Sequence, residues 1–318
     1  MQTILGSGGA IGTELAKALK RFTNKIRLVS RNPKKVNETD FLLAADLTDA
    51  QQLSKAVEGS TVCYVTIGFE YKTKIWQQVW LTFIKNVVSA CKDNKAKLVF
   101  FDNIYAIDCN HINHITEESP INPASKKGEI RALVDRYIIE NVEKGNIEAI
   151  IARSPDFFGP IKKSSIIMNL IYNNLQKGKP ALWFCNADVI YTPGYTYDLA
   201  MGAALLGNTN DAFNQVWNLP VDQSHATARE FTQMFAEIMN VKNRLKVLPA
   251  WSIKLLGFFV PVLKEIYEMR YQYDRDYFFD SSKFIRRFNY VPVSNKKAIE
   301  QTIELMKYSK LECRPDLP

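Results

Sequence analysis

The chain has 318 residues, 47% of them hydrophobic and 23% charged, a balance that excludes disordered and fibrous classes and suits one large α/β domain with an appendage, or two domains. Lys and Arg outnumber Asp and Glu by 41 to 33, which gives a net charge of +8 and a pI near 9.1. The basic residues are scattered, with no run beyond two and no stripe interleaved with aromatics, so the charge points away from nucleic acid and fits a positive site for a phosphorylated cofactor.

The first twelve residues carry the strongest signal. A short apolar run, Gln2-Thr3-Ile4-Leu5, ends in a glycine turn, and a helical pattern begins at once. Gly6, Gly9 and Gly12 are three apart. At the mouth of a parallel strand this spacing lets the backbone turn tightly and approach a diphosphate, with the amides around Ala10, Ile11 and Gly12 at the helix start facing the anion. The plain alternative is a glycine-rich loop that binds nothing. Because the chain opens on a strand, no signal peptide is expected.

Strands are expected at 3–5, 26–29, 41–45, 62–67, 98–101 and 147–152, with helices at 12–21, 49–58, 74–93 and 126–144 between them, and a seventh strand at 216–219. This alternation predicts an α/β fold with a Rossmann-type, doubly wound parallel sheet of about seven strands. After Pro160 the pattern loosens. A helix near 164–177 stops at Gly178, with Pro180 beyond it, and aromatic-rich sequence follows at Trp183-Phe184 and at 191–197. The last hundred residues read as mostly helical. Residues 1–160 and 195–225 are therefore assigned to the dinucleotide-binding domain, and 161–194 and 226–318 to a smaller, mainly helical substrate domain. The most apolar stretch, 248–263, holds Lys254 and two prolines. It is too short and broken to span a bilayer, so it reads as a packed helix or hydrophobic lid, and no membrane partner is expected. The five cysteines, at 63, 91, 109, 185 and 313, form no C-x-x-C and no disulfide framework, which suits a reducing cytoplasm.

Ligands in such sheets sit at the carboxyl ends of the strands. Strand two ends in Ser30-Arg31, where the forked donors of Arg31 suit a 2′-phosphate better than an acidic residue would. NADP is the expected cofactor, with NAD as the alternative. Strand three ends in Asp46-Leu47, placed for the adenine edge, unless Asp46 merely caps the next helix. Strand four ends in Ile67-Gly68, where a small residue lets the backbone pass the cofactor. Phe69, Tyr71, Phe158, Tyr191 and Tyr195 are candidate walls of a substrate pocket or plain core. His111 and His114 have H-x-x-H spacing but no third ligand, so no metal site is expected.

Several of these segments resemble the extended and atypical short-chain dehydrogenase/reductases, the NAD-dependent epimerase/dehydratase group. The G-x-x-G-x-x-G turn is similar, as are Thr116-Glu117-Glu118-Ser119-Pro120-Ile121-Asn122-Pro123, Arg153-Ser154-Pro155-Asp156-Phe157-Phe158-Gly159-Pro160 and Tyr195-Thr196-Tyr197-Asp198-Leu199-Ala200. The resemblance implies a Tyr-x-x-x-Lys pair one helical turn apart, which this chain lacks throughout. Lys127 and Arg131 stand in its place, on one helix face. Lys127 can act as acid or base if desolvated beside Arg131, and Tyr105, after strand five, is the other catalytic candidate. The expectation is that Tyr105, a phenol near cationic side chains, donates the proton, while Lys127 and Arg131 hold the nicotinamide ribose.

The resemblance implies an NAD(P)-dependent oxidoreductase, epimerase or dehydratase acting on a carbonyl or sugar-type small molecule, as a monomer or homodimer. The alternative is a catalytically inactive, dinucleotide-binding regulator resembling the NmrA-like redox sensors, which keep the cofactor site and lose the catalytic pair.

Overall fold

In the computed structural model, which describes residues 1–161, 165–259 and 261–311, the glycine turn joins β1 (Gln2–Leu5) to α1 (Ala10–Leu19). The alternation continues through β2 (Ile26–Ser30), β3 (Phe41–Ala44), α2 (Ala50–Val57), β4 (Val62–Val65), α3 (Thr73–Asp93), β5 (Lys97–Asp102), α4 (Lys126–Glu143) and β6 (Ala149–Arg153). Beyond these lie β7 (Phe157–Phe158), α5 (Asn173–Gln176), β8 (Ala181–Phe184), β9 (Gly194–Tyr195), α6 (Thr196–Gly207), β10 (Gln215–Asn218) and α7 (Ala228–Ile238). The chain then runs through β11 (Leu245–Leu248), α8 (Ala250–Leu256), α9 (Pro261–Glu268), α10 (Ser282–Phe288) and α11 (Asn295–Leu311).

Seven strands form one sheet in the order β10-β6-β5-β4-β1-β2-β3, and every pairing in it is parallel. All seven expected strands and the four helices between them appear, with boundaries that move by about two residues. The order reverses at β1, which pairs with β2 on one side and β4 on the other. That reversal opens a crevice above the glycine turn.

Both faces of the inner strands are buried, as the helical crossovers require, while the edge strand β3 is largely exposed. Side chains alternate in period two, so Ile4, Leu28 and Tyr64 enter one core and Leu5, Val29 and Val65 the other. The first core continues through α1 and α6 into the C-terminal elements, and the second lies under α2, α3 and α4. Two short parallel pairs, β7 with β9 and β8 with β11, stand beyond the sheet.

The helix expected near 164–177 begins on Ser164, which lies outside the described residues. Its described part contains a π-helical turn, Met168–Tyr172, ahead of α5. It stops as expected. Gly178 has φ +69, its N–H donates to the Leu175 carbonyl at 3.0 Å, and the Lys179 N–H reaches the Asn174 carbonyl at 3.0 Å. The stretch 248–263 covers the end of β11, all of α8 and part of α9. Among the described residues no helix is long and apolar enough to cross a membrane. Cys63, Cys91, Cys109 and Cys185 are free thiols, while Cys313 lies outside the described residues.

Candidate functional site

Gly6 is fixed by the fold itself. Its φ is +99, and a Cβ there would come within 2.6 Å of the Ile67 backbone. Gly12 is equally constrained, because a Cβ would stand 2.6 Å from the Gly6 carbonyl oxygen and 2.8 Å from Ser7 Cα. Gly9 is different. Its backbone is extended, with φ −81, and a Cβ would meet only the Gly6 oxygen at 3.5 Å and the Thr66 oxygen at 3.9 Å. Gly9 is exposed, so a side chain there would fill space above the helix start. Helix α1 has no side-chain cap and no acidic residue in its first turn. Its first amides, near Ala10, Ile11 and Gly12, are thus available to an outside anion, with the helix dipole behind them. These features fit a dinucleotide pyrophosphate.

The neighbouring strand ends line the same crevice. Arg31 is exposed just past β2. Asp46 lies past β3, and its Oδ1 accepts from the Thr48 N–H at 2.9 Å and the Thr48 hydroxyl at 2.7 Å. Those bonds, with Arg31 nearby, hold its carboxyl below the usual range. The cap of α2 is Asp49, which accepts from the Gln52 N–H, so Asp46 serves the turn and not the helix. Leu47 is buried against the second core and Ile67 packs at its edge. A Cβ on Gly68 would meet nothing within 4 Å, which leaves that backbone open to the crevice.

At the far end of the crevice the structure brings Lys127, Tyr105 and Tyr71 together. Lys127 is fully buried. Its ammonium donates to Thr73 Oγ1 at 3.2 Å, pairs with the Glu265 carboxylate and lies 4.2 Å from the centre of the Tyr71 ring. Burial pulls its pKa down to about 8, with Glu268 opposing the shift. Glu265 and Glu268 both come from α9. Glu265 also accepts from the Thr73 hydroxyl at 2.8 Å, and Glu268 accepts from the Lys126 N–H at 2.5 Å. Helix α9 thus lays two carboxylates on the positive first turns of α3 and α4.

Tyr105 does not stand among cations as expected. It is half-buried and stacks on Trp76 at 6.2 Å between ring centres. Burial pushes its pKa well up, and the nearby Tyr71, Asp156 and Tyr273 push it further in the same direction. The phenol therefore stays protonated at neutral pH and acts as a hydrogen-bond donor. Asp156 accepts at one oxygen from the hydroxyls of Tyr191, at 2.9 Å, and Tyr273, at 3.1 Å. Burial raises its pKa while those two bonds lower it.

Arg131 turns inward. Its Nη2 lies 2.6 Å from Asp102 Oδ1, and both side chains are buried. The guanidinium rests 4.3 Å from the Trp80 ring centre and 5.0 Å from that of Phe100. One turn on, Asp135 lies 3.9 Å from Arg153, and burial with the nearby Asp102 pushes the Asp135 carboxyl well up. Arg131, expected to hold the nicotinamide ribose, is thus engaged by Asp102 instead. Among the expected pocket walls, Tyr71 and Tyr191 border the Lys127–Asp156 region. Phe69 packs edge-on against Trp80 and Phe83, at 4.8 and 5.3 Å. Phe158 and Tyr195 stack on each other at 5.6 Å in the first core, so they support the site from behind.

The sequence profile of the NAD dependent epimerase/dehydratase family matches residues 3–219. The chain belongs to this family. No curated protein sequence matches the chain. Among solved structures, this epimerase/dehydratase family member is similar to a UDP-N-acetylglucosamine 4-epimerase from Methanobrevibacter ruminantium M1 in complex with UDP-N-acetylmuramic acid. The TM-score is 0.79 at 16% identity, over 97% of this chain and 98% of the other. A UDP-glucuronic acid 4-epimerase from Bacillus cereus in complex with NAD gives a TM-score of 0.76 at 16% identity, over 97% and 99% of the two chains. A dTDP-glucose 4,6-dehydratase from Streptomyces venezuelae with NAD bound gives 0.77 at 14% identity, over 98% of each. At such identities the likeness shows the fold.

Several residues of the candidate site escape a reading of the sequence, Thr73, Asp156 and Glu265 among them. Asp156 carries a local signal, a carboxylate in an otherwise apolar segment just past β6. Thr73 and Glu265 carry none, since they reach Lys127 across 54 and 138 positions.

Proposed function

We propose that this protein is an NADP(H)-dependent oxidoreductase, epimerase or dehydratase that acts on a carbonyl or sugar-type small molecule. Residues 1–160 and 195–225 hold the dinucleotide, and 161–194 with 226–318 supply the substrate side. We assign it to the cytoplasm, as a monomer or homodimer. The observation that carries the enzyme reading is Lys127, a buried amine with its pKa drawn to about 8, on α4 where the family keeps its tyrosine. A proton carrier works best when its pKa lies near the operating pH.

Gly9, Gly12 and the start of α1 bind the pyrophosphate, Arg31 grips the 2′-phosphate, and Asp46, Leu47, Ile67 and Gly68 border the adenosine and the path beyond it. A nicotinamide held by these residues would supply hydride transfer. Lys127 exchanges the matching proton at its Nζ. Tyr105, kept protonated, donates a hydrogen bond to the reacting oxygen, and Tyr71 covers the ammonium. Arg131 acts on Lys127 through α4 as a positioning residue. Substrate reaches Lys127 once Glu265 yields its place.

The test is a screen of carbonyl compounds and nucleotide sugars with NADPH, comparing wild type with Lys127→Met and Tyr105→Phe. Lys127→Met is expected to lose turnover and keep cofactor affinity, and Tyr105→Phe to lose about 10²–10³ in kcat. Full activity in Lys127→Met removes it from the mechanism. One observation favours a second reading, a regulator that binds the dinucleotide without catalysis. Lys127 and Arg131 are both engaged by carboxylates of the chain itself. Tight NADPH binding with no turnover on any substrate would establish that reading.

A further inference from the structure

Helix α8 and the turn after it present an inverted surface. Ile253 is fully buried and anchors the helix. Around it, Trp251 is 70% exposed, Leu255 55%, Phe258 78% and Phe259 80%, with Leu256 beside them at 41%. Scattered exposed apolar residues are ordinary, but a contiguous patch of this kind marks a contact surface.

The charge of the segment that carries the patch is one-sided. No carboxylate occurs in the sequence between Glu237 and Glu265, while Lys242, Arg244, Lys246, Lys254 and Lys264 all fall there. All five are exposed, and none is in an ion pair among the described residues. Exposed aromatic and leucine side chains on α8 and its turn, with Lys254 among them and exposed cations in the adjoining segments, match the boundary between lipid headgroups and acyl chains. There the apolar side chains leave water and the ammonium groups meet anionic headgroups.

We propose that α8 and the turn Gly257–Phe259 dock on the surface of an anionic lipid bilayer, with Trp251, Leu255, Phe258 and Phe259 inserted at the headgroup level. A second copy of the chain is the poorer occupant. Pairing this patch with itself would bring Lys254 and the basic segments that flank it against their own copies, and like charges facing each other disfavour an interface. No spanning helix is needed for an element that lies in the surface. The proposal stands apart from the enzyme reading, because it uses no residue of the cofactor cleft.

Tryptophan fluorescence gives a direct test. Trp76, Trp80, Trp183 and Trp217 are buried, so Trp251 dominates any response to lipid. The full-length protein is mixed with vesicles of phosphatidylcholine alone, and with vesicles in which roughly a third is phosphatidylglycerol. The expected result is a blue shift and co-sedimentation with the anionic vesicles, with affinity rising about fivefold for each cation engaged and falling in high salt. The double variant Phe258→Ser/Phe259→Ser and the variant Lys254→Glu should each lose vesicle binding while their NADPH affinity and melting temperature stay unchanged. The proposal is overturned if wild type stays in the supernatant with an unshifted spectrum. It is also overturned if sedimentation velocity shows a dimer that the Phe258→Ser/Phe259→Ser variant dissolves.

Discussion

Gly9 and Gly12 differ in what a methyl group would meet, and that difference separates binding from folding. A Cβ on Gly9 makes an ordinary contact at 3.5 Å, whereas one on Gly12 falls 2.6 Å from the Gly6 oxygen. Gly9→Ala should therefore leave stability within about 0.5 kcal/mol of wild type, while Gly12→Ala should cost about 1–3 kcal/mol through overpacking. Gly9→Val should remain folded and lose NADPH affinity in a fluorescence titration, and unchanged affinity would remove the pyrophosphate from this turn. Arg31 decides the choice of cofactor. A charge-assisted hydrogen bond contributes roughly 1.5–3 kcal/mol, or about 10- to 150-fold in affinity. Calorimetry should show wild type preferring NADPH to NADH by that factor and Arg31→Ala losing most of it. A wild type that prefers NADH would contradict the role given to Arg31.

At the scale of elements, α4 is tied to the sheet by charge as well as by packing. Arg131→Met leaves Asp102 buried without its cation, a loss of about 3–5 kcal/mol. The double variant Arg131→Met/Asp102→Leu should recover much of it in denaturant unfolding, because no lone charge then remains inside. Helix α6 is tied to the C-terminal segment by Asp198, whose oxygens accept from the Tyr290 hydroxyl at 2.6 Å and the Val293 N–H at 3.0 Å. Burial raises its pKa from 3.8 to about 6. Between those values the folded protein binds more protons than the unfolded chain, so this group's contribution is fully present below pH 3.8 and is lost as pH rises through 6. Thermal unfolding of wild type and Asp198→Asn from pH 4 to 7.5 should therefore diverge. The gap is expected to move toward the Asn variant by about 2–3 kcal/mol as pH rises, and a constant gap would show that Asp198 does not titrate in that window. Each element was legible in the sequence where its periodicity was local. The inner strands of the main sheet are runs buried on both faces, and Gly178 with Pro180 announces the end of α5. The π-helical turn at Met168–Tyr172 and the two-residue strands β7 and β9 have no such period, since tertiary contacts alone define them.

For the molecule as a whole, the glycine turn and the alternation of strands and helices could be read from the sequence, whereas the reversal at β1 came only with the strand order of the structure. The reacting end could be read only in part. Lys127 and Arg131 stand four apart on one helix, so their shared face was visible, but the carboxylates that hold them come from α9 and β5. An ion pair between distant segments leaves no spacing to detect, and so an open pair of cations was expected where the chain folds them against Glu265 and Asp102. Those two pairings also limit which substitutions the site tolerates. Restoring the family's tyrosine by Lys127→Tyr would strand the Glu265 carboxylate beside Tyr71. Restoring its lysine by Arg131→Lys would give up the contact of the guanidinium with Trp80 and its pairing with Asp102. Either reversal passes through a less stable protein unless Glu265 or Asp102 has changed beforehand. The charge pairs couple each position to its partner, so that neither Lys127 nor Arg131 can be exchanged alone without leaving a carboxylate to be rehoused.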